Sequence, residues 1–295
     1  MEWRGRRQSS NIEDRRTSGS TGTGSGRRAG ISLGGGGLGV LAIMVVGWFF
    51  GIDLTPLLNG GGVSTGTGGS ASQQGPLSDS EKAAGDFVAV TLADTEDIWA
   101  RVLKAQTGQT YTPATLVLYR AVTDSPCGTA SGATGPFYCP DDKKVYLDTA
   151  FFDTLATQLG AKGDFAMAYV VAHEIGHHVQ DELGILSKAN TMRSQVSEAQ
   201  SNAISVRIEL QADCYAGIWG REVQAQFGTI QPGDFEEAVN AAKQIGDDTL
   251  QRNAGRVPMP DNFTHGTSAQ RSKWFQIGLK SGQLSACDTF SVNNP

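Results

Sequence analysis

The sequence lacks several features that would place it in a common class of protein. It has no internal repeat, and its four cysteines include no C-x-x-C pair, which argues against a repeat array and against a zinc ribbon. Its formal net charge is −6 at pH 7, so it lacks the basic excess that is typical of nucleic-acid-binding proteins. We therefore expect no nucleic-acid partner.

Charged residues are also absent from residues 31–52, which read ISLGGGGLGVLAIMVVGWFFGI. About 20 apolar residues span a bilayer, so this stretch predicts one transmembrane helix. Residues 1–30 are basic, which predicts an N-terminal segment that stays in the cytoplasm. The chain after the helix is then expected outside the cell (inner) membrane. A cleaved signal peptide is the alternative interpretation.

The region after the apolar stretch divides into a linker and a folded domain. Residues 53–75 are rich in Gly and Ser and cannot build a hydrophobic core. We therefore place the folded domain at residues 76–295, which is long enough to bury one core. Predicted strands come first and predicted helices later, which favours an α+β fold with a small mixed sheet and a mainly helical C-terminal half.

The individual elements are predicted from capping residues, alternation and apolar periodicity. Asp94, Glu96 and Asp97 are interpreted as the start of a second helix with a solvated face. The predicted strands are 115–120 and 144–148, with an extended edge piece at 133–138. The predicted helices are 78–106 (with a break near 93–94 as an alternative), 151–159, 165–183, 195–226, 232–251 and 268–281.

The four cysteines allow three disulfide pairings, and an exported domain permits disulfides. We favour Cys127–Cys139, which closes a short loop rich in Gly and Pro, together with Cys214–Cys287, which ties the C-terminal end to a helix. Buried free thiols are the alternative.

The folded domain is organised around the pattern H-E-x-x-H at His173, Glu174 and His177. The surrounding residues, FAMAYVVAHEIGHHVQDEL, are apolar nearly all round and predict a buried helix. Residues four apart lie on one face of a helix, so both imidazoles can reach one zinc ion while Glu174 reaches a water on it. Two buried histidines are costly without partners, which favours a metal over a chance match on a core helix.

A catalytic zinc ion takes a third protein ligand besides a water. The metzincin extension of the motif is absent after His177, so the ligand is sought among later acids. Glu209 is the strongest candidate, and Asp213, one helical turn on, can fix the orientation of a ligand histidine. Glu182 and Glu198 are weaker alternatives, and a solvated acid pair is the alternative for Glu209 and Asp213.

Three further residues have two interpretations each. His265 lies just before the last predicted helix and could donate to the oxyanion of a tetrahedral intermediate, or it could be a helix-entry histidine with no catalytic role. Arg271 could serve a similar electrostatic role, although such an arginine is more often structural. His178 is expected to point away from the metal, as a surface residue or as support for the site.

The H-E-x-x-H helix followed by E-x-x-x-D resembles the gluzincin metallopeptidases. More closely, nearly the whole chain is similar to a bacterial family called the putative neutral zinc metallopeptidases. The matching stretches are MEWRGRRQSSNIEDRR, CGTASGATGPFYCPDDKKVYLD, AYVVAHEIGHHVQ, ELQADCYAGIW and FTHGTSAQRSKWFQIGL. The resemblance implies a zincin-like fold, a single membrane anchor and a zinc-dependent peptidase domain. It assigns zinc to His173, His177 and Glu209, and catalysis to Glu174.

Together these observations predict a membrane-anchored zinc endopeptidase that acts on a peptide or protein substrate. The hypothesis is that a zinc-activated water attacks the peptide bond with Glu174 as general base and His265 assisting. The substrate backbone is expected to pair with the sheet edge at residues 133–139. The alternative is a membrane-anchored binding or scaffold protein with a non-catalytic zinc site, although such a site has no need of a base.

Overall fold

The structure is a computed structural model that describes residues 1–17, 75–131 and 135–295. The predicted transmembrane stretch, residues 31–52, lies outside this set, as does the predicted linker up to residue 74. Within the described ranges, no helix is both long enough and apolar enough to cross a bilayer.

The described residues form the α+β fold expected from the sequence, with a small sheet and a mostly helical remainder. The strands are β1 (Ile12–Asp14), β2 (Thr115–Tyr119), β3 (Val122–Ser125), β4 (Gly128–Ser131), β5 (Phe137–Cys139) and β6 (Lys144–Asp148). The helices are α1 (Asp79–Thr107), α2 (Ala150–Thr157), α3 (Asp164–Glu182), α4 (Ile185–Arg193), α5 (Glu198–Phe227), α6 (Asp234–Gln244), α7 (Asp247–Asn253) and α8 (Ser268–Ser281).

The main sheet is mixed, with strand order β1-β2-β6-β5. β1 and β6 flank β2 in parallel, and β5 pairs antiparallel with β6, which leaves β5 as an edge strand. β3 and β4 form a separate antiparallel hairpin that the sequence analysis did not predict. The sheet packs beside α3, so its β5 edge lies next to the helix that carries the H-E-x-x-H motif.

The N-terminal residues differ from their prediction as a separate segment. Residues 12–14 form strand β1 of the main sheet. The Arg6 guanidinium pairs with both oxygens of Asp94 on α1, at 2.7 and 2.8 Å. The Trp3 ring packs edge-on against Phe87 at 5.5 Å. Sheet pairing, ion pairing and apolar contact therefore join residues 1–17 to the domain that we had placed at residues 76–295.

Helix α1 continues through the residues at which the sequence analysis allowed a break. Asp94 was predicted at the start of a second helix on a solvated face, but α1 runs through it and the residue is 3% exposed. Its neighbours Glu96 and Asp97 each lie 2.9 Å from Arg7. These carboxylates bind the N-terminal arginines. The break near residues 93–94 was a wrong prediction, because α1 continues through them.

The helical half is built around α3, which is buried along most of its length against α5 and α6. α8 packs closely on α5 through two glycines. A Cβ atom at Gly217 would overlap the carbonyl oxygen of Phe275, and one at Gly278 would overlap that of Cys214. Only glycine permits this approach of the two backbones, which sets α8 directly against the part of α5 that carries Glu209 and Asp213.

The remaining predictions have mixed outcomes. Both predicted disulfides are present, Cys127–Cys139 and Cys214–Cys287. The helix predicted over residues 232–251 is instead two helices, α6 and α7, with Gly246 between them. A Cβ atom at Gly246 would overlap the backbone nitrogen of Ser268. The break therefore brings the start of α7 against the start of α8.

Candidate metal and catalytic site

The two motif histidines and the predicted third ligand converge on one point. His173 and His177 project from the same face of α3, with ring centroids 4.8 Å apart. Glu209 of α5 faces both rings: its Oε2 lies 3.1 Å from His173 Nε2, and its Oε1 lies 3.5 Å from His177 Nε2. One ligand atom from each residue fits within a mutual separation of 4.8 Å.

These separations agree with the size of a zinc site. Zinc lies about 2.0–2.1 Å from nitrogen and oxygen ligands, and the corners of a tetrahedron of that size are about 3.3–3.4 Å apart. The two distances from Glu209, 3.1 and 3.5 Å, lie on either side of that value. Two imidazoles and one carboxylate also form the donor set of His₂Glu catalytic zinc sites. The residues therefore fit a zinc ion.

The other nitrogen of each ligand histidine is held by a neighbouring side chain. His173 Nδ1 donates to Asp213 Oδ1 at 2.8 Å, as predicted for Asp213. His177 Nδ1 donates to Gln180 Oε1 at 2.9 Å, and the Gln180 amide in turn donates to Gln211 at 3.0 Å. Both rings thus keep Nδ1 protonated and direct Nε2, the nitrogen that a metal ion would bind, toward Glu209.

Asp213 is itself held by a buried arginine and a buried tyrosine. Arg271 of α8 binds both Asp213 oxygens at 2.9 Å, and the Tyr169 hydroxyl donates to Oδ1 at 2.5 Å. Burial alone would raise the pKa of Asp213, but the Arg271 and His173 charges hold that pKa below its ordinary value. Asp213 therefore stays ionised and keeps a fixed orientation, since buried carboxylates need such partners.

The charges around the site favour the protonated form of His173 and the ionised form of Glu209. Burial alone would lower the pKa of His173, yet Asp213 and Glu209 raise it to about 10. Burial would likewise raise the pKa of Glu209, but the His177 and His265 charges hold it well below its usual range. A carboxylate this acidic is available as a metal ligand across the physiological pH range.

Glu174 has the placement expected of a base. It is 7% exposed, and its carboxylate forms no hydrogen bond with another residue of the described ranges. Burial is the largest influence and raises the pKa of its carboxyl above the ordinary value, although the neighbouring His173 and His177 act in the opposite direction. A carboxylate with few partners and a raised pKa binds a proton more readily than an ordinary glutamate.

His265 lies in the loop before α8 and is oriented by Asp247. Its Nδ1 is 3.2 Å from Asp247 Oδ1. The other oxygen of Asp247 accepts from the backbone N–H groups of Thr264, His265 and Gly266, at 2.7–3.0 Å. Burial alone would lower the pKa of His265, but the Asp247 and Glu209 charges raise it. The loop therefore presents a histidine that favours the protonated form near Glu209.

Several predictions about nearby residues need correction. His178 was expected at the surface or as support for the site, but it is 1% exposed and its Nε2 bonds the Thr112 carbonyl at 2.7 Å. It ties the loop before β2 to α3. Glu182 accepts from the Thr112 backbone at 2.9 Å, and Glu198 begins α5, so neither alternative third ligand reaches the metal-binding point.

Three residues of the site were missed or left undecided by sequence reasoning. Gln180 could have been found, because it lies one turn after His177 on the same helix. Asp247 and the pairing of Arg271 with Asp213 had no such signal, since each joins elements that are far apart in the sequence.

The chain is similar to other bacterial proteins of known sequence. The chain is similar to the Uncharacterized protein YpfJ of Escherichia coli (strain K12), with 46% identity over 291 residues that cover 98% of this chain and 99% of that protein. It is 44% identical over 193 residues to the Uncharacterized protein Mb2605 of Mycobacterium bovis, covering 62% of this chain and 64% of that protein. No solved structure matches the chain significantly.

A profile of the family described as "Putative neutral zinc metallopeptidase" matches residues 1–290, which is nearly the whole chain. The cluster of His173, His177 and Glu209, which could hold a metal ion, agrees with that description. The chain belongs to the putative neutral zinc metallopeptidase family.

Proposed function

We propose that this protein is a zinc-dependent endopeptidase. The observation that carries the proposal is the convergence of His173, His177 and Glu209 on one point. The Glu174 carboxylate is buried beside it and forms no hydrogen bond with the described residues. A purely structural zinc site has no use for such a carboxylate. Zinc bound there would supply a Lewis acid and make a water molecule acidic enough to ionise near pH 7.

The residues of the chain have separate roles in hydrolysis. Glu174 accepts the proton of the attacking water and returns it to the leaving amine. Asp213 and Gln180 hold the two histidine rings in the orientation that binds zinc. His265, charged and oriented by Asp247, donates a hydrogen bond to the oxygen on which negative charge develops.

The substrate is proposed to bind as an extended peptide along β5. This strand is the outer edge of the main sheet, and within the described ranges no strand pairs with its other side. The Tyr138 hydroxyl donates to Asp181 at 3.0 Å, which fixes β5 to the motif helix. A peptide added as a further strand gains backbone hydrogen bonds without regard to its side chains.

We further propose that residues 31–52 attach the protein to a membrane, with both folded parts of the chain on one side of it. β1 and β2 belong to one sheet, so residues 1–17 and 75–295 cannot lie on opposite sides of a bilayer. This arrangement replaces the topology inferred from the N-terminal arginines alone. Two disulfides favour an oxidising compartment for that side.

The function can be tested on the purified full-length chain. Metal analysis is expected to give one zinc per chain, and a digest of an unbiased peptide library is expected to give cleavage that a chelator abolishes. Glu209→Gln should lose zinc, whereas Glu174→Gln should keep zinc and lose cleavage. Zinc-loaded wild-type protein that cleaves nothing would support a non-catalytic site, and normal cleavage by Glu174→Gln would remove the base from the mechanism.

A further inference from the structure

Arg193, the last residue of α4, is a half-buried cation without an acidic partner. Its Nε donates to the Ser201 hydroxyl on α5 at 3.1 Å, and within the described part of the chain it forms no ion pair. Other arginines at least as sheltered from solvent do form one: Arg16 pairs with Asp14 at 2.7 Å, and Arg271 with Asp213 at 2.9 Å. The unmatched charge of Arg193 thus requires another explanation, because desolvating a cation without a partner is unfavourable.

Arg193 is joined through Ser201 to α5, the helix that carries the metal-site residue Glu209. Ser201 and Glu209 are two turns apart on the same side of α5. Burial is the largest influence on the Arg193 guanidinium and lowers its pKa, and the Glu209 charge acts in the opposite direction. Glu209 is nevertheless not within ion-pair distance of Arg193, since its two oxygens face His173 and His177.

The surroundings of Arg193 are those of a binding surface. The guanidinium has five N–H groups, and the Ser201 contact uses one of them. Its remaining donors form a planar fork that matches a carboxylate. Close to it in the sequence, the Met192 and Val196 side chains are 50% and 40% exposed, although apolar side chains of this size are usually buried. A cation with exposed apolar residues before and after it in the sequence suits a peptide that carries an acidic group.

We infer that Arg193 determines specificity by binding a carboxylate of the peptide substrate. This inference rests on the proposed function and extends it to a substrate class. The carboxylate can belong to an Asp or Glu side chain or to the C-terminus of the peptide, because both present the same two oxygens to the guanidinium.

The test compares three forms of a peptide that the enzyme cleaves: one with an internal Glu and an amidated C-terminus, one with a free C-terminus and no acidic side chain, and one with neither. For the form that Arg193 recognises, Arg193→Gln should lower kcat/KM by about 10- to 100-fold, mainly through KM, as expected for the loss of charge-assisted hydrogen bonds. The neutral peptide and the zinc content should be unaffected. Arg193→Lys should restore part of the loss.

The matched control is Arg101→Gln, which removes an exposed arginine that pairs with Glu222 at 2.5 Å, outside the site. It should leave all three peptides unchanged. Which of the two carboxylate peptides responds to Arg193→Gln identifies the source of the carboxylate. Equal losses for all three peptides, or no loss for any, would overturn the inference.

A binding measurement separates this inference from the proposed function. Zinc-loaded Glu174→Gln protein is titrated with the same three peptides, with and without Arg193→Gln. A Kd that rises about 10- to 100-fold only for a carboxylate peptide supports Arg193 even if the wild-type protein cleaves nothing. Equal Kd values for carboxylate and neutral peptides in the presence of Arg193 would refute its role even if cleavage is observed.

Discussion

Replacing Arg6 by methionine tests whether the N-terminal residues are part of the folded domain. Arg6 binds both oxygens of Asp94 at 2.7 and 2.8 Å, and the exposed fractions of the two side chains are 18% and 5%. Methionine keeps most of the apolar contact of the side chain and removes the charge. Asp94 would then be a buried carboxylate without its cation.

The expected loss of stability follows from this geometry. Removing one partner of a buried ion pair costs about 3–5 kcal/mol, because the other charge stays desolvated. Partial exposure of Arg6 lets water approach Asp94 in the variant, so we expect a value near the lower end, about 3 kcal/mol. A domain of this size changes its Tm by about 2–4 °C per kcal/mol, which gives a decrease of about 6–12 °C.

The assay is equilibrium unfolding of the full-length chain in urea, together with thermal unfolding. Arg7→Met is the matched control: Arg7 is 49% exposed and pairs with Glu96 and Asp97, so its loss should cost less than about 1 kcal/mol. Adding Asp94→Asn to Arg6→Met should recover part of the stability, because it removes the stranded charge. If Arg6→Met is no more destabilising than Arg7→Met, the N-terminal residues do not contribute to the fold as the structure indicates.

Three further predictions concern the site and its location. Asp213→Asn removes the charged acceptor of His173 Nδ1 and should weaken zinc binding by about 10- to 100-fold in a chelator competition, whereas unchanged affinity would contradict its orienting role. Because the pKa of His265 is raised above 6.5, the imidazole is charged and can donate below that pKa and loses this proton above it. Wild-type kcat/KM should therefore fall as the pH rises through this pKa. His265→Gln should lower kcat/KM by about 100-fold and abolish this alkaline decrease; a variant that keeps the decrease excludes His265 as its source. In intact cells, an impermeant maleimide should label exposed cysteines introduced at Ser10 and Ser291 alike, and labelling of one alone would contradict the shared sheet.

The parts of the fold that the sequence predicted are those with a local signal. The residues of β2 and β6 are mostly apolar or alternate between apolar and polar, as is typical of strands. The capping box predicted at Ser78 is present at the start of α1. α3 was predicted because its apolar residues are too many for a strand. α4 and the β3–β4 hairpin carry only weak local patterns and were not predicted. Local patterns thus identified the elements that build the core.

The N-terminal residues were predicted as a separate segment because their signal is ambiguous without tertiary contacts. A run of arginines before an apolar stretch is typical of a cytoplasmic flank of a membrane helix. The same arginines can equally neutralise distant acids, and here Arg6 meets Asp94, 88 residues away in sequence. Composition does not distinguish these cases, because only the folded α1 brings the acids to one surface. The acids of α1 were misread for the same reason.

The site shows the same division between local and distant information. His173, Glu174 and His177 follow from spacing on one helix, and Glu209 with Asp213 from spacing on another. Their convergence depends on how α3 and α5 cross, which no pattern within either helix specifies. Gly176 on α3 faces the Ala212 backbone of α5, and a Cβ atom there would lie 3.1 Å from the Ala212 carbonyl oxygen. The small residue allows the two helices to approach closely enough for Glu209 to reach both histidines.

The contact between α5 and α8 links the packing of the protein to the charge balance of its site. Asp213 is fully buried, and the charge of Arg271, held against it, helps to keep it ionised beside His173. Arg271 is held there by α8, whose distance from α5 is set by Gly217 and Gly278. An alanine at Gly278 would push α8 outward, lengthen the Arg271–Asp213 contacts and leave a desolvated carboxylate next to a zinc ligand. The glycines at this helix contact therefore support the metal site, although neither belongs to the ligand motifs H-E-x-x-H and E-x-x-x-D.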